Sequence, residues 1–177
     1  MLLRSLHKKS KSRTSLSKEL GLGETTIRTM FKNLRSAHLT KPTTKGETLT
    51  KKCRSVIEVI NNHISFPANL DIKQFTLHDN NIGYLIRGAK KDMPSATDMR
   101  DSAIKMGADG LIILKKEEKL RIIGLKENNI DIPEIISNIM KPEKGDYIII
   151  TFAKTRNSSE LAGLGIAIDL IGFRLDV

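Results

Sequence analysis

Between residues 24 and 37 the chain gathers side chains that bond readily to anions and base edges: Thr25, Thr26, Arg28, Thr29, Lys32, Asn33 and Ser36. At 100° per residue, Thr25, Thr29, Lys32 and Ser36 share one side of a helix, with Arg28 and Asn33 flanking it. Hydroxyls, an amide and cations with no acid on that side can bond to phosphate oxygens and to base edges in the DNA major groove. Ordinary solvated faces mix Glu with Lys, and this one does not. Farther on, Lys41 and Lys45 stand among threonines with Pro42 and Gly46. That composition predicts a two-stranded hairpin with turns at Pro42 and Gly46 and both lysines near its tip.

Such side chains need elements to aim them. Ile27, Met30, Phe31 and Leu34 follow the i, i+3, i+4, i+7 spacing, which predicts a helix over about 24–37 with one apolar stripe. Leu16 and Leu20 predict a shorter helix before it, ended by Gly21 in a left-handed conformation. Leu22 offers an anchor in the turn, Gly23 an N-cap, and Glu24 a carboxylate where the helix dipole favours one. Two short helices joined by a tight glycine turn describe a helix-turn-helix. A brief helix from Met1 to about His7 precedes them, before a basic stretch at Lys8–Arg13. Thr50 can cap a further helix from Lys51 to about Ile64, whose stripe is Val56, Ile57, Ile60 and Ile64.

The charge has the same address. The 177 residues carry a net +10. Residues 1–60 hold 14 Lys/Arg against four acids, while residues 61–177 hold 16 of each sign. A basic segment joined to a neutral one points to an anionic partner met by one domain only, and duplex DNA is the leading candidate. The lone Cys53 excludes an intrachain disulfide and cysteine-clustered zinc. The longest apolar stretch, 161–173, contains Asp169 and falls short of the ~20 residues a spanning helix needs. A cytoplasmic protein that is not in a membrane is therefore expected.

Around these residues the sequence resembles a known family. The run Leu20-Gly21-Leu22-Gly23-Glu24-Thr25-Thr26-Ile27-Arg28, with Lys45-Gly46-Glu47-Thr48-Leu49-Thr50 after it, is similar to the winged helix-turn-helix of prokaryotic transcription regulators. The whole chain resembles an archaeal group of two-domain regulators whose C-terminal domain has no settled role. The resemblance implies that Thr25, Thr26, Arg28, Thr29, Lys32 and Asn33 fall on the recognition helix, with the hairpin as the wing. Cys53 departs from the pattern, standing roughly where a glycine often follows the wing.

Phe66-Pro67 breaks the helical pattern and places a domain boundary near 64–69. Beyond it, strands are expected at 72–77 and 82–87 around a turn at Asp79-Asn80-Asn81, then at 111–114, 120–125 and 147–152. Helices are expected at 95–107 and 132–140, and from Ser158 or Ser159 to about Ile171. The predicted fold class is α+β: a winged helix-turn-helix over 1–64 and an α+β sandwich over 65–177. Gly163-Leu164-Gly165 falls inside a helical pattern and suits close packing rather than dinucleotide binding. Glu58 and His63 are five apart, so they diverge on a helix and form no metal site with Cys53. His78 is alone, and no cofactor or catalytic residue is expected.

The expected function is a DNA-binding transcriptional regulator whose second domain dimerises, senses a ligand, or does both. Arg100, Lys105, Ser158 and Ser159 are the candidates for framing an anionic effector. An enzyme or RNA-acting protein with the winged helix as an adaptor is the alternative, and a non-specific chromatin binder is the third reading.

Overall fold

The computed structural model describes residues 2–125 and 130–172 of an α+β protein. Its internal contacts separate two compact units, Met1–Ile60 and Asn61–Val177.

The first unit begins with helix α1 (Leu2–His7); Met1, the expected start, lies outside the described residues. Helix α2 (Arg13–Leu20) starts where Ser12 is extended and its hydroxyl accepts from the Ser15 N–H at 3.1 Å. It ends where Gly21 takes φ +65°, and the Gly21 N–H donates to the Ser17 carbonyl. Helix α3 (Glu24–Ser36) follows after the Gly23 cap. Strands β1 (Thr40–Thr43) and β2 (Gly46–Leu49) form an antiparallel hairpin, and helix α4 (Lys51–His63) starts under the Thr50 hydroxyl, which accepts from the Cys53 N–H at 3.2 Å. Leu6, Leu16, Ile27, Phe31, Leu49, Cys53 and Ile57 make up much of the buried apolar set.

Two details differ from expectation. Pro42 is no turn residue: it sits inside β1 opposite Glu47. Glu47 turns its own N–H and carbonyl the other way, exchanging bonds of 2.9 and 3.0 Å with Lys11. Pro42 therefore occupies an outer position where no N–H is needed. The segment around Lys11 becomes a third strand-like edge of the hairpin. Its approach demands glycine at 46, where φ is +116° and a Cβ would lie 2.4 Å from the Lys11 carbonyl oxygen.

The second unit is built on one antiparallel sheet. Its strands are β3 (Ala68–Asn69), β4 (Asn80–Ile86), β5 (Gly110–Lys116), β6 (Leu120–Ile122) and β7 (Tyr147–Ala153), in the order β3-β4-β7-β5-β6. Helices α5 (Ala96–Lys105) and α7 (Arg156–Leu170) pack on one face. Leu85, Leu114, Ile148 and Ile150 line the other face, which packs against Leu70, Ile72 and two residues, Ile136 and Met140, of helix α6 (Glu134–Met140). The alternation of buried residues to both faces explains why β4 and β7 read as nearly continuous apolar runs. Gly163 brings α7 onto the sheet, since a Cβ there would stand 2.7 Å from the Thr151 hydroxyl and 2.8 Å from the Tyr84 ring. Gly165 does the same against Met106 of the α5 end.

No strand forms at 72–77. Ala68–Asn69 pairs with β4 and the Leu70 N–H still donates to the Asn81 carbonyl at 2.9 Å, after which Leu70 and Ile72 pack onto the sheet and the Phe75 N–H closes a turn onto the Ile72 carbonyl at 2.7 Å. Asn80 and Asn81 belong to β4 rather than to a turn. β6 stops at Ile122, short of the expected Leu125. The last helix is capped by Thr155, whose hydroxyl accepts from the Ser158 N–H at 3.2 Å, and not by Ser158 or Ser159.

Candidate nucleic-acid interface

In α3, Ile27 and Phe31 are buried and Leu34 is half-buried, which fixes how the helix is rotated. Opposite them, Thr25, Thr26, Arg28, Thr29, Lys32, Asn33 and Ser36 are all exposed. At 100° per residue, these seven cover an arc of about 160° running from Arg28 round to Thr26. Met30, counted in the apolar stripe on spacing, lies at the margin between the two arcs and is exposed. The Thr29 and Ser36 hydroxyls donate to the Thr25 and Lys32 carbonyls, both at 3.1 Å, leaving their oxygens free to accept.

The preceding turn is held by its own bonds. The Ser17 hydroxyl donates to the Leu22 carbonyl at 2.5 Å, and the Leu22 N–H donates to the Ser17 carbonyl at 3.1 Å. Beside α3, Lys45 occupies the hairpin turn. Lys41, also expected near the tip, is instead the second residue of β1, opposite Thr48. Both lysines are exposed. Among the described residues Arg28, Lys32, Lys41 and Lys45 take part in no ion pair, so their charge is available to an external anion.

One buried carboxylate ties the hairpin to α3. Glu47 is 1 % exposed and accepts from Arg35 Nε at 2.9 Å on Oε1 and 3.1 Å on Oε2, with Arg35 Nη2 also donating to Oε2. Burial pushes the Glu47 carboxyl up, but the Arg35 bonds, the Thr40 hydroxyl and the guanidinium charge together outweigh that and hold it below the ordinary carboxylate value. The same pair raises Arg35. Lys11 is likewise committed, to Glu19 at 2.5 Å, a bond that lowers the Glu19 carboxyl. Residue type and spacing gave Lys11, Arg35 and Glu47 no pairing partner. Gly46 directly before a lone acid was the clue to a close backbone approach there.

The effector candidates do not converge. Ser159 is fully buried, and its hydroxyl donates to the Thr151 carbonyl at 2.6 Å. Ser158 is bonded to the Thr155 cap at 2.9 Å through its hydroxyl. Lys105 and Arg100 are both exposed but lie five residues apart on α5, about 140° around the helix axis. Arg100 alone borders a hollow. This hollow is about 570 Å³ and lies between α5 and the chain after β6, with Asp101, Ile104, Leu111, Ile113 and Ile123 also on its walls. A second hollow of about 310 Å³, walled by Leu77 and Phe152, shares Phe75, Arg100, Leu111 and Ile112 with it. Both hollows border β5 at Leu111 and Ile112, ahead of its pairing with β6 at Leu114.

Residues 77–170, more than half of the chain, match a family model described as Domain of unknown function (DUF4443). The chain belongs to the DUF4443 family. The matched span covers the sheet from β4 onward with α5, α6 and α7, and leaves α3 and the hairpin outside it. The fold likeness of this DUF4443 chain reaches farther. It is similar to the solved structure "Hypothetical protein PH0730 from Pyrococcus horikoshii OT3", with a TM-score of 0.67 and 24% identity over 96% of this chain and 88% of that one. No curated protein matches the chain.

Three remaining features of this DUF4443 protein bear on chemistry. Cys53 fills a buried place in the first turn of α4, and burial pushes its thiol up, away from the reactive thiolate. His78 Nε2 lies 3.2 Å from Asp109, and among the described residues no group of three or more His, Cys, Asp or Glu could hold a metal ion. No described helix is long and apolar enough to cross a membrane.

Proposed function

We propose that the chain is a DNA-binding transcriptional regulator of the winged helix-turn-helix type, acting as a homodimer on duplex DNA. Helix α3 enters the major groove, where Arg28, Lys32, Asn33 and the threonines meet bases and phosphates. The hairpin is the wing, with Lys45 at its turn and Lys41 on its outer strand against the neighbouring backbone. The observation that carries this reading is the acid-free exposed arc of α3, set beside the hairpin by the Arg35–Glu47 clamp. The net +10 of residues 1–60 supplies the sequence-independent part of the attraction. No catalytic step belongs to this reading. An anionic effector framed by Arg100, Lys105, Ser158 and Ser159 does not belong to it either, because Ser159 is buried and bonded to Thr151 while Arg100 and Lys105 stand about 140° apart around α5.

The test is fluorescence anisotropy of the full chain with random duplexes and with duplexes selected from genomic fragments, across a salt series. Binding should weaken steeply with salt, and Arg28→Ala with Lys32→Ala should cut affinity at least tenfold while the thermal transition stays in place. Lost contacts to phosphate should also flatten the salt slope by about one per contact. Unchanged affinity in a folded double variant, or binding indifferent to salt, would refute the proposal.

A further inference from the structure

The exposed arc of α3 is divided lengthwise by charge. At 100° per residue, Arg28 stands about 20° and Lys32 about 60° around the helix axis from Arg35. Arg35 holds Glu47 of the hairpin, so both cations lie on the hairpin flank of α3. Thr29 and Asn33 lie farther round in the same sense, about 120° and 160° from Arg35, and that part of the arc is uncharged. Their bonding capacity is specific. The Thr29 hydroxyl donates its proton to the Thr25 carbonyl at 3.1 Å, so its oxygen can only accept. The Asn33 amide is bonded to no described residue and offers an acceptor oxygen beside a donor NH₂ group.

We infer that α3 selects duplexes presenting adenine in the major groove over G·C duplexes. Asn33 and Thr29 read the bases, while Arg28 and Lys32 join the hairpin lysines on the phosphates. The inference deepens the DNA-binding reading above by naming the class of duplex, and it rests on that reading. Adenine shows an N6 donor beside the N7 acceptor, which matches an amide through two bonds, whereas guanine shows acceptors only. An oxygen whose proton is spent on its own helix is likewise met by adenine N6 and opposed by guanine O6. The thymine of the pair then sets its methyl against the threonine methyl. Cytosine offers a lone donor, and its guanine partner stands beside it with two acceptors. Thr29 and Asn33 are i, i+4 neighbours on the helix, so they address neighbouring base pairs. Neither side chain is charged, so this selection is separate from the salt-sensitive attraction of the cations.

The experiment is competition fluorescence anisotropy of the full chain with alternating duplexes as competitors: adenine–thymine, diaminopurine–thymine, guanine–cytosine and hypoxanthine–cytosine. The diaminopurine pair keeps the major-groove edge of A·T and takes on the minor-groove amino group of G·C, and the hypoxanthine pair does the reverse. Adenine–thymine and diaminopurine–thymine should compete about fivefold better than the other two, or more. Asn33→Ala and Thr29→Val, both at exposed helix positions, should shrink this preference and leave the salt slope as in the wild type. Arg28→Ala should flatten the slope and leave the preference in place. A hypoxanthine–cytosine duplex that competes as well as adenine–thymine would put the selection in the minor groove or in duplex shape, and overturns the inference. Equal competition by all four overturns it too, as does a preference untouched by Asn33→Ala and Thr29→Val together. Equal but salt-dependent competition leaves DNA binding standing, whereas binding to none of the four overturns the DNA-binding reading and this inference with it.

Discussion

The Arg35–Glu47 pair is asymmetric, and that asymmetry makes a sharp prediction. Glu47 is 1 % exposed on its side chain, whereas the Arg35 side chain is 48 % exposed. Removing the guanidinium with Arg35→Met strands a carboxylate out of water, a change that typically costs about 3–5 kcal/mol. Removing the charge with Glu47→Gln leaves only a guanidinium that water can cover, so the loss should be nearer 1–2 kcal/mol. Arg35→Met should therefore destabilise the first unit more than Glu47→Gln does, although both delete the same ion pair. Urea denaturation of the two variants and of the wild type, followed by circular dichroism at pH 7, measures the difference. The pH dependence supplies the second arm. The Glu47 carboxyl is held below its ordinary value when folded, so its contribution is full above that ordinary value. It is lost as pH falls through the lower folded value. In Arg35→Met the stranded carboxylate is relieved by protonation, and that variant should approach the wild type in acid. A Glu47→Gln variant less stable than Arg35→Met at pH 7, or an Arg35→Met deficit that persists unchanged in acid, would show that burial does not set this balance.

Three further outcomes follow from single contacts. Gly46→Ala meets both a φ of +116° and the Lys11 carbonyl at 2.4 Å, and should cost more than ~2 kcal/mol in the same denaturation assay. Gly163→Ala drives a methyl against Thr151 and Tyr84 and should lower the stability of the second unit by about 1–3 kcal/mol, read from its Tm. Cys53 should react with a thiol reagent only as fast as the first unit opens, so adding urea below the transition should accelerate labelling, while a thiol labelled at once in native buffer would contradict its burial.

How much of this could be read from residues depends on whether the signal was local. α3 was legible to within a residue because its apolar spacing, the Gly21 stop and the Gly23 cap are all short-range features that agree. The missing strand at 72–77 shows the opposite case. The β-branched and aromatic residues Ile72, Phe75 and Thr76 say that a segment would suit a sheet, but not whether a sheet edge is there to receive it. Here Leu70 and Ile72 are used as a plug on the sheet face. The cap of α7 failed for a related reason. Thr155, Ser158 and Ser159 are all competent hydroxyls, and only the end of β7 at Ala153 decides that Thr155 is the one left in extended backbone. Ser159 then falls a turn inside the helix, facing Thr151 on the sheet. The anion site drawn around it dissolved once that long-range contact was known.

The two parts of the proposed function, DNA binding and dimerisation, constrain each other through charge. Fourteen Lys/Arg in residues 1–60 would push two copies apart if that unit supplied the contact between them, with a repulsion that grows as salt falls. DNA binding by cations is strongest under the same low-salt conditions, so an interface made from basic residues would weaken when it was most needed. Placing self-association on the second unit removes the conflict, because residues 61–177 carry 16 charges of each sign and have no net repulsion that low salt could strengthen. A dimer held there presents two basic units at once. The second then meets DNA at the effective concentration set by the first, so affinity rises without any contact added to the groove. The uneven distribution of charge along the chain is then a requirement of the assembly, since spreading the same +10 over both units would weaken the dimer and the DNA contact together.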